Sequence, residues 1–406
     1  MPTKKSPNLA RLSVAVACAA FLTACGGGSD GNGGKPPQEE AQNPQPSTEL
    51  TADAQKSGLE SVPGTPGTQT YNLTLSVGDT WQLALSPSDK KYTLTVLQGA
   101  FDAATDSRYS GSYDDSTPGL ITGTDSSSQQ SFQFQVDADT GSITGTLNMQ
   151  TASGQPLVAA ATGTSYATPT DLGRLKGSYF FMMASRNAGN GSSPERIGGQ
   201  ARIGDDGKQL LVCAQGLFDQ AGNCTSPDSH AKQELHTFAL ARDARTGLVK
   251  VSDDKGPQGW LNFQVTDLGG YSIFFDRLGY NTDTPPVNRT GTAYLTRTPL
   301  LTAGTLDGNW HCTDAFNPSW HSDVTIRGLS LNWVDASAQT GTEQLYLNQV
   351  TNDAGKLLNL PGVITTVVQG GTLQNDAAII QPVSTALFTV EREAANSLGM
   401  CQRKKS

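Results

Sequence analysis

Apolar and polar residues alternate along most of the chain from about residue 69 onward. In "SFQFQV", Phe132, Phe134 and Val136 fall on one side of an extended strand, while Gln133 and Gln135 fall on the other. The same period of two recurs in "YNLTLSV" and "KYTLTVL". This pattern predicts antiparallel strands with one face in a core and the other in solvent.

Short turn-forming sequences separate these strands. Examples are "SVGDT", "DADTGS", "DARTGL", "GDDGK" and "NDAGK". No segment carries a helical period over more than about three turns. The sequence therefore predicts an all-β protein with two or three tandem antiparallel domains, each a β-sandwich or a small β-barrel; alternation alone does not separate the two.

Two internal matches predict a duplication. "QGAFDAA" at 98–104 resembles "QGLFDQA" at 215–221, and "FQFQVDADTGSI" at 132–143 resembles "FALARDARTGLV" at 238–249. The second match describes a hairpin whose turn begins with Asp and contains a Gly expected at positive φ. We expect β-domain 1 over 69–170, β-domain 2 as its repeat over 171–300, and β-domain 3 over 301–406.

The segment before the first domain has no apolar periodicity. Gly, Pro, Gln, Ser and Glu dominate residues 25–68. Such a composition buries too little apolar surface to order the chain, so it predicts a disordered tether.

The first 24 residues have the pattern of an export signal. Lys4, Lys5 and Arg11 precede an apolar run that is too short to span a bilayer, and "LTAC" follows it. The sequence from Leu22 to Cys25 resembles the lipobox of bacterial lipoproteins; an ordinary secretory signal, with Cys25 in a disulfide, is the alternative. The residues after Cys25 carry no recognisable family motif.

The lipobox resemblance implies a location. It implies cleavage before Cys25, diacylglyceryl modification of the Cys25 thiol and acylation of the new amine, with palmitate as a typical chain. Because Gly26 rather than Asp follows the cysteine, the resemblance implies delivery to the bacterial outer membrane, facing the periplasm or the cell surface. Several acyl chains anchor a protein stably, so the membrane is a predicted partner through the lipid.

Four cysteines remain after Cys18 and Cys25. In an oxidising compartment we expect two disulfides. Three pairings are possible, and we favour Cys213–Cys224 with Cys312–Cys401 because each bond then stays within one domain. The rival interpretation is a metal site, but the chain has no CxxC motif.

Charge narrows the possible partners. The formal net charge is −9, and Lys/Arg clusters occur only near the two ends of the chain. This composition argues against a nucleic-acid partner. An unknown protein or a glycan is the expected ligand, and no cofactor is predicted.

The stretch "NWHCTDAFNPSWHSD" carries the candidate ligand site. It repeats Trp-His ten residues apart, and Trp333 follows, so aromatic and imidazole groups could form a platform for sugars or cations. The alternative is that Trp310 plugs the domain core and Trp320 packs beside the disulfide. The candidate residues are Trp310, His311, Trp320, His321 and Trp333.

No motif for catalysis is present, so we expect no enzyme. The segment "HAKQELH" could place His230, Glu234 and His236 on a metal, but it also fits a polar loop. A glycosidase pair could come from the turn-rich carboxylates Asp102, Asp114, Asp115, Asp219 and Asp276. The predicted function is ligand binding or envelope scaffolding; the alternatives are an envelope glycan hydrolase and a carrier of a hydrophobic ligand in a barrel lumen.

Overall fold

The structure is a computed structural model that describes residues 60–404 except 100–105, 126–129, 138–139, 151–155, 189–190, 227–233, 244–245, 269–270, 281–287, 298–299, 318, 353–354 and 393–395. Within these residues the protein is almost entirely β, with a single 3-10 turn. Three closed antiparallel barrels of eight strands follow one another along the chain. The all-β prediction is confirmed, and each domain is a barrel rather than a sandwich.

The first barrel is a simple meander in which each strand pairs with the next and the last closes on the first. Its inner face is the predicted alternating set: Phe132 and Phe134 are buried inside, whereas Gln133 faces out. Its strands are β2 Gln69–Leu75, β3 Thr80–Ser86, β4 Lys91–Gln98, β5 Arg108–Asp114, β6 Leu120–Asp125, β7 Gln130–Asp137, β8 Ser142–Gln150 and β9 Pro156–Thr164.

The second barrel has the same topology with an inserted hairpin. Two short strands, β14 Leu217–Phe218 and β15 Cys224–Thr225, pair between its third and fourth barrel strands. The barrel strands are β11 Gly177–Asn187, β12 Glu195–Ile203, β13 Gln209–Ala214, β16 Glu234–Arg242, β17 Val249–Asp253, β18 Gly256–Val265, β19 Tyr271–Tyr280 and β20 Asn288–Thr296.

The third barrel closes through its first and last strands, where a disulfide joins them. Trp310 and Phe388 pack edge to face inside it, with ring centroids 4.7 Å apart. Its strands are β21 Gly308–Asp314, β22 His321–Arg327, β23 Ser330–Asp335, β24 Thr340–Thr351, β25 Leu357–Val368, β26 Ala377–Pro382, β27 Leu387–Arg392 and β28 Ser397–Arg403.

The predicted tether ends earlier than expected. The strand β1, Glu60–Ser61, pairs with β10, Tyr166–Ala167, and Val62 is buried beside them. The prediction of disorder up to residue 68 is therefore wrong for residues 60–68. Ladder hydrogen bonds and one buried valine order a stretch whose composition alone is that of a loop.

Both cysteine pairs are bonded as predicted. Cys213 bonds Cys224, eleven residues along the chain, and Cys312 bonds Cys401, 89 residues along. The first bond ties the inserted hairpin to β13, and the second joins the first and last strands of the third barrel.

The predicted borders at 170 and 300 fall in the two connections between barrels. The first sequence match follows the third strand of each of the first two barrels. The second match is a hairpin in both, with Gly141 and Gly247 at φ of 63° and 71°. However, it joins strands six and seven of one barrel and four and five of the other, so it does not support a repeat in register.

The barrels pack against one another through their outer faces. One apolar cluster combines Ala160 of the first barrel, Phe274 and Tyr294 of the second, and Val363 and Ile379 of the third. Polar outer residues are also buried at these contacts, and some of them are paired across the contacts.

Two examples show this pairing. Asn262 Nδ2 donates to Thr74 Oγ1 at 2.7 Å between the first two barrels. Gln381 Nε2 of the third barrel donates to the carbonyl oxygens of Phe180 and Tyr294 in the second, at 3.0 and 2.9 Å.

Candidate functional site

The lumen of the second barrel contains a cavity of about 170 Å³ that opens at one end. Its wall is mainly apolar, formed by inward-facing residues of β11, β12, β13, β19 and β20 that include Phe181, Met183, Leu210, Phe275 and Leu295. An apolar wall with a few polar groups at its mouth is the usual composition of a small-molecule site.

The cavity exists because several inward positions carry small side chains. Ala201, Ala214 and Ala293 all line it. The lumen of the first barrel is instead packed with large rings, including Tyr92 and Phe132, whose centroids lie 4.9 Å apart. Interior volume left by alanines is not refilled by rigid strands, because barrel geometry fixes the distance between facing walls.

The opposite end of the second barrel is closed. The 3-10 turn Leu172–Leu175 lies across it, with Asp171 accepting a hydrogen bond from the Gly173 N–H at 3.0 Å. Leu175 is buried, and its carbonyl accepts from the Tyr179 hydroxyl at 2.6 Å. Burial raises the pKa of this tyrosine well above its usual value. In the part of the barrel that the structure describes, the lumen is therefore open at the end away from this turn.

The carboxylates at the mouth have partners. Glu195 Oε2 lies 3.2 Å from Arg289 Nη2, and Glu234 Oε2 lies 3.3 Å from His236 Nε2. Arg289 is also held by the carbonyl and hydroxyl oxygens of Ser185.

A third carboxylate at the mouth belongs to Asp253. Its Oδ1 accepts from the backbone N–H of Lys255 at 2.9 Å and from Gln258 Nε2 at 3.1 Å. These bonds hold the β17–β18 turn at the edge of the opening.

Arg277 is a cation on the inner wall. It follows Phe275 on the inward face of β19 and lines the cavity, with Nη1 3.8 Å from Met183 Sδ. Its Nε has no hydrogen-bond partner among the described residues. Burial lowers the pKa of the Arg277 guanidinium, and the Glu195 carboxylate partly opposes that shift.

Trp310 lies in the core of the third barrel, as the alternative to the tryptophan platform expected. Trp310 is fully buried, and its Nε1 donates to the Leu306 carbonyl at 3.0 Å. Strand register places Trp333 on the same inner face through Val324, and its Nε1 donates to Glu343. Two of the three rings belong to the interior of the third barrel, because alternation along β21 and β23 directs them inward.

The remaining predicted residues lie together on the outer face of that barrel. Trp320 is 50% exposed and precedes His321, whose ring centroid is 5.5 Å from that of His311. Asp323 Oδ1 lies 2.9 Å from His311 Nδ1 and 2.8 Å from Lys404 Nζ. The hydrogen bond with His311, followed by that with Lys404, lowers the pKa of the Asp323 carboxyl.

A second cavity, of about 150 Å³, lies between the first and third barrels beside His311. Its lining includes the amide and hydroxyl side chains of Gln133, Gln135, Thr144 and Gln402, beside the apolar Leu387 and Met400. Gln402 Nε2 donates across it to the carbonyl and hydroxyl oxygens of Thr144.

The other candidate chemistry is dispersed. His230 and Asp102 lie outside the described residues, as does Cys25, the predicted lipidation site. Within the described part, no group of three or more His, Cys, Asp or Glu side chains could hold a metal ion. No helix in that part is long and apolar enough to cross a membrane.

The described carboxylates considered for glycoside hydrolysis lie in three separate places, and only the chain neighbours Asp114 and Asp115 share one. Asp114 caps its own turn through Ser116, and Asp219 does the same through Asn223. Lys90 Nζ lies 2.8 Å from Asp115. Asp276 is buried between the first two barrels, where Thr80 Oγ1 donates to it at 2.5 Å.

Comparison with known proteins adds little. No protein-family model and no curated protein matches the sequence. One similar solved structure is a protein of unknown function from the DUF3598 family of Nostoc punctiforme, with 11% identity, 58% of this chain and 97% of that chain covered, and a TM-score of 0.20. At that score the likeness supports no conclusion about function.

One feature of the sequence does indicate the lumen site. In "YSIFFDRLGY" the alternation places Arg277 on the face of Ile273 and Phe275. A charge on an otherwise apolar face is a marker of an interior polar site. The alanines that line the cavity cannot be recognised from the sequence pattern in this way.

Proposed function

We propose that this protein is a bacterial outer-membrane lipoprotein whose second barrel binds a small apolar or amphipathic molecule. The observation that carries the binding role is the half-open lumen cavity, which has an apolar wall, a polar rim and a closed floor. Of the functions considered from sequence, carriage of a hydrophobic ligand in a barrel lumen is the one that this geometry favours. A cavity of about 150 Å³ lined by apolar side chains is known to hold a benzene ring.

The ligand role is tested with fluorobenzene, followed by its ¹⁹F resonance. The protein should broaden and shift the signal in a saturable way. Ala293→Phe fills the lumen and should abolish the effect, whereas Ala239→Phe, an exposed position on the outside of β16, should preserve it. Equal binding by both variants would place the probe elsewhere and refute the lumen site.

The anchor is tested by Cys25→Ser. Serine cannot accept the thioether-linked diacylglycerol, so the variant should leave the membrane fraction and appear in the soluble extract. The native chain should label with radioactive palmitate, and the variant should not. A serine variant that still sediments with membranes would refute the anchor while leaving the lumen site untouched.

A second candidate function is glycan binding beside the third barrel. The exposed Trp320 ring and the amide-lined cavity next to His311 favour it, because sugars stack on aromatic rings and bond to amides. Retention on immobilised envelope glycan that is lost in Trp320→Ala but not in Val334→Ala, an exposed control on the same barrel, would support it.

A further inference from the structure

The wall of the lumen holds a cation, Arg277, that has no ion-pairing carboxylate among the residues described by the structure. Its Nε also lacks a hydrogen-bond partner there. Burying an unpaired guanidinium is unfavourable, since the charge loses its hydration. An anion that enters the cavity would therefore be stabilised by an ion pair with this guanidinium.

The acids at the mouth do not satisfy this charge. Glu195 is engaged by Arg289, and Asp253 accepts hydrogen bonds from Lys255 and Gln258. Both carboxylates nevertheless place negative charge close to the opening. We therefore expect a ligand with one negative charge to bind at Arg277 more favourably than a ligand with two.

The shape of the donor narrows the ligand further. A guanidinium presents parallel N–H groups that match the two oxygens of a carboxylate. The apolar wall formed by Phe181, Leu210 and Phe275 faces the same space. A volume of about 170 Å³ suits one aromatic ring or a short acyl chain, not a long one enclosed in full.

We propose that the lumen of the second barrel is a site for small monocarboxylic acids, with the ring or short chain on the apolar wall and the carboxylate on Arg277. This inference rests on the proposed lumen function and adds the chemical class of the ligand.

The experiment compares four ¹⁹F probes on the full chain: 4-fluorobenzoate, 4-fluorobenzyl alcohol, 4-fluorobenzylammonium and 4-fluorophenyl phosphate. The benzoate should bind roughly 10- to 100-fold more tightly than the alcohol, which is the range expected for hydrogen bonds to a charged group. The ammonium and the doubly charged phosphate should bind more weakly than the benzoate.

The decisive variant is Arg277→Met, which keeps the length of the side chain and removes its charge. It should bring the benzoate down to the affinity of the alcohol while leaving alcohol binding intact, which also reports that the barrel is folded. Arg277→Lys should retain part of the preference. Lys208→Met, at the closed end of the same barrel, is the matched loss of one charge and should change neither affinity.

The outcomes separate the two proposals. If neither fluorobenzene nor any of the four probes binds, the lumen function itself fails. If the alcohol binds as well as the benzoate, or if the preference survives in Arg277→Met, the carboxylate inference is overturned and the lumen function stands.

Discussion

Asp276 is a carboxyl group enclosed between the first and second barrels. Burial raises its pKa well above the ordinary value, the neighbouring Asp79 raises it further, and the hydrogen bond from Thr80 only partly opposes this. The neutral form is therefore favoured in the folded protein. Ionisation there would bury a charge, and none of the described groups that shift this pKa is a cation.

The titration of this residue makes stability fall as pH rises. The folded pKa lies above the unfolded value, so stability is highest below about pH 4 for this group and is lost as the pH climbs toward the folded pKa, at about 1.4 kcal/mol per pH unit. Asp276→Asn removes the titration. The free energy of unfolding of this variant, measured with denaturant, should rise relative to that of the native chain between pH 5 and pH 8. A difference that stays constant over this range would contradict the prediction.

Single residues also show what alternation can and cannot reveal. It correctly directed Phe132 and Phe134 inward and left Gln133 outside. It also agrees with the alternative stated for Trp310, since that ring shares the inner face of β21 with Cys312 and lies in the core of the third barrel. The space beside Arg277 was not predictable, because a cavity depends on facing walls that no local pattern describes.

At the scale of elements, two disulfides fix two different kinds of junction. Cys213–Cys224 secures an inserted hairpin on one strand, whereas Cys312–Cys401 links the ends of a whole barrel. The pairing could be predicted from domain borders alone. The closure of a barrel by the second bond could not be predicted, because apolar and polar residues alternate in the same way in a sandwich.

The two bonds should differ in their contribution to stability. In the loop-entropy model the 11-residue separation contributes about 3 kcal/mol and the 89-residue separation about 4–5 kcal/mol. The Cys312→Ser/Cys401→Ser double variant should therefore lower the thermal midpoint more than Cys213→Ser/Cys224→Ser. Ellipticity during heating would measure both, and the reverse order would contradict the model.

At the scale of the whole molecule, three barrels share buried outer faces. Polar residues such as Asn262 and Gln381 look like solvent-facing strand positions in the sequence, yet both are buried and paired between barrels. Sequence reasoning therefore predicted separate domains but not their packing. The sequence pattern of an outward-facing polar residue is the same whether its side chain contacts water or a carbonyl group of a neighbouring barrel.

Cooperative unfolding of the second and third barrels should depend on Gln381. Gln381→Leu removes the donor to Phe180 and Tyr294 and leaves buried acceptors, which should destabilise the protein by about 2–3 kcal/mol. We expect calorimetric unfolding to separate into two transitions. Gln339→Leu, an exposed position, should preserve the native profile; an unchanged profile for Gln381→Leu would show that apolar contacts alone couple the barrels.

The pairing of β1 with β10 determines where the chain approaches the second barrel. Glu60 bonds Arg242 at 3.1 Å, and Pro63 lies against Gly247, so the chain arrives at the sealed base of that barrel. With an anchor at Cys25, this base would be the end of the barrel that the anchored segment reaches first, and the aperture would be the far end. Attachment at the base would leave that aperture unobstructed by the tether, so cargo could be exchanged there with the aqueous compartment or with a facing protein.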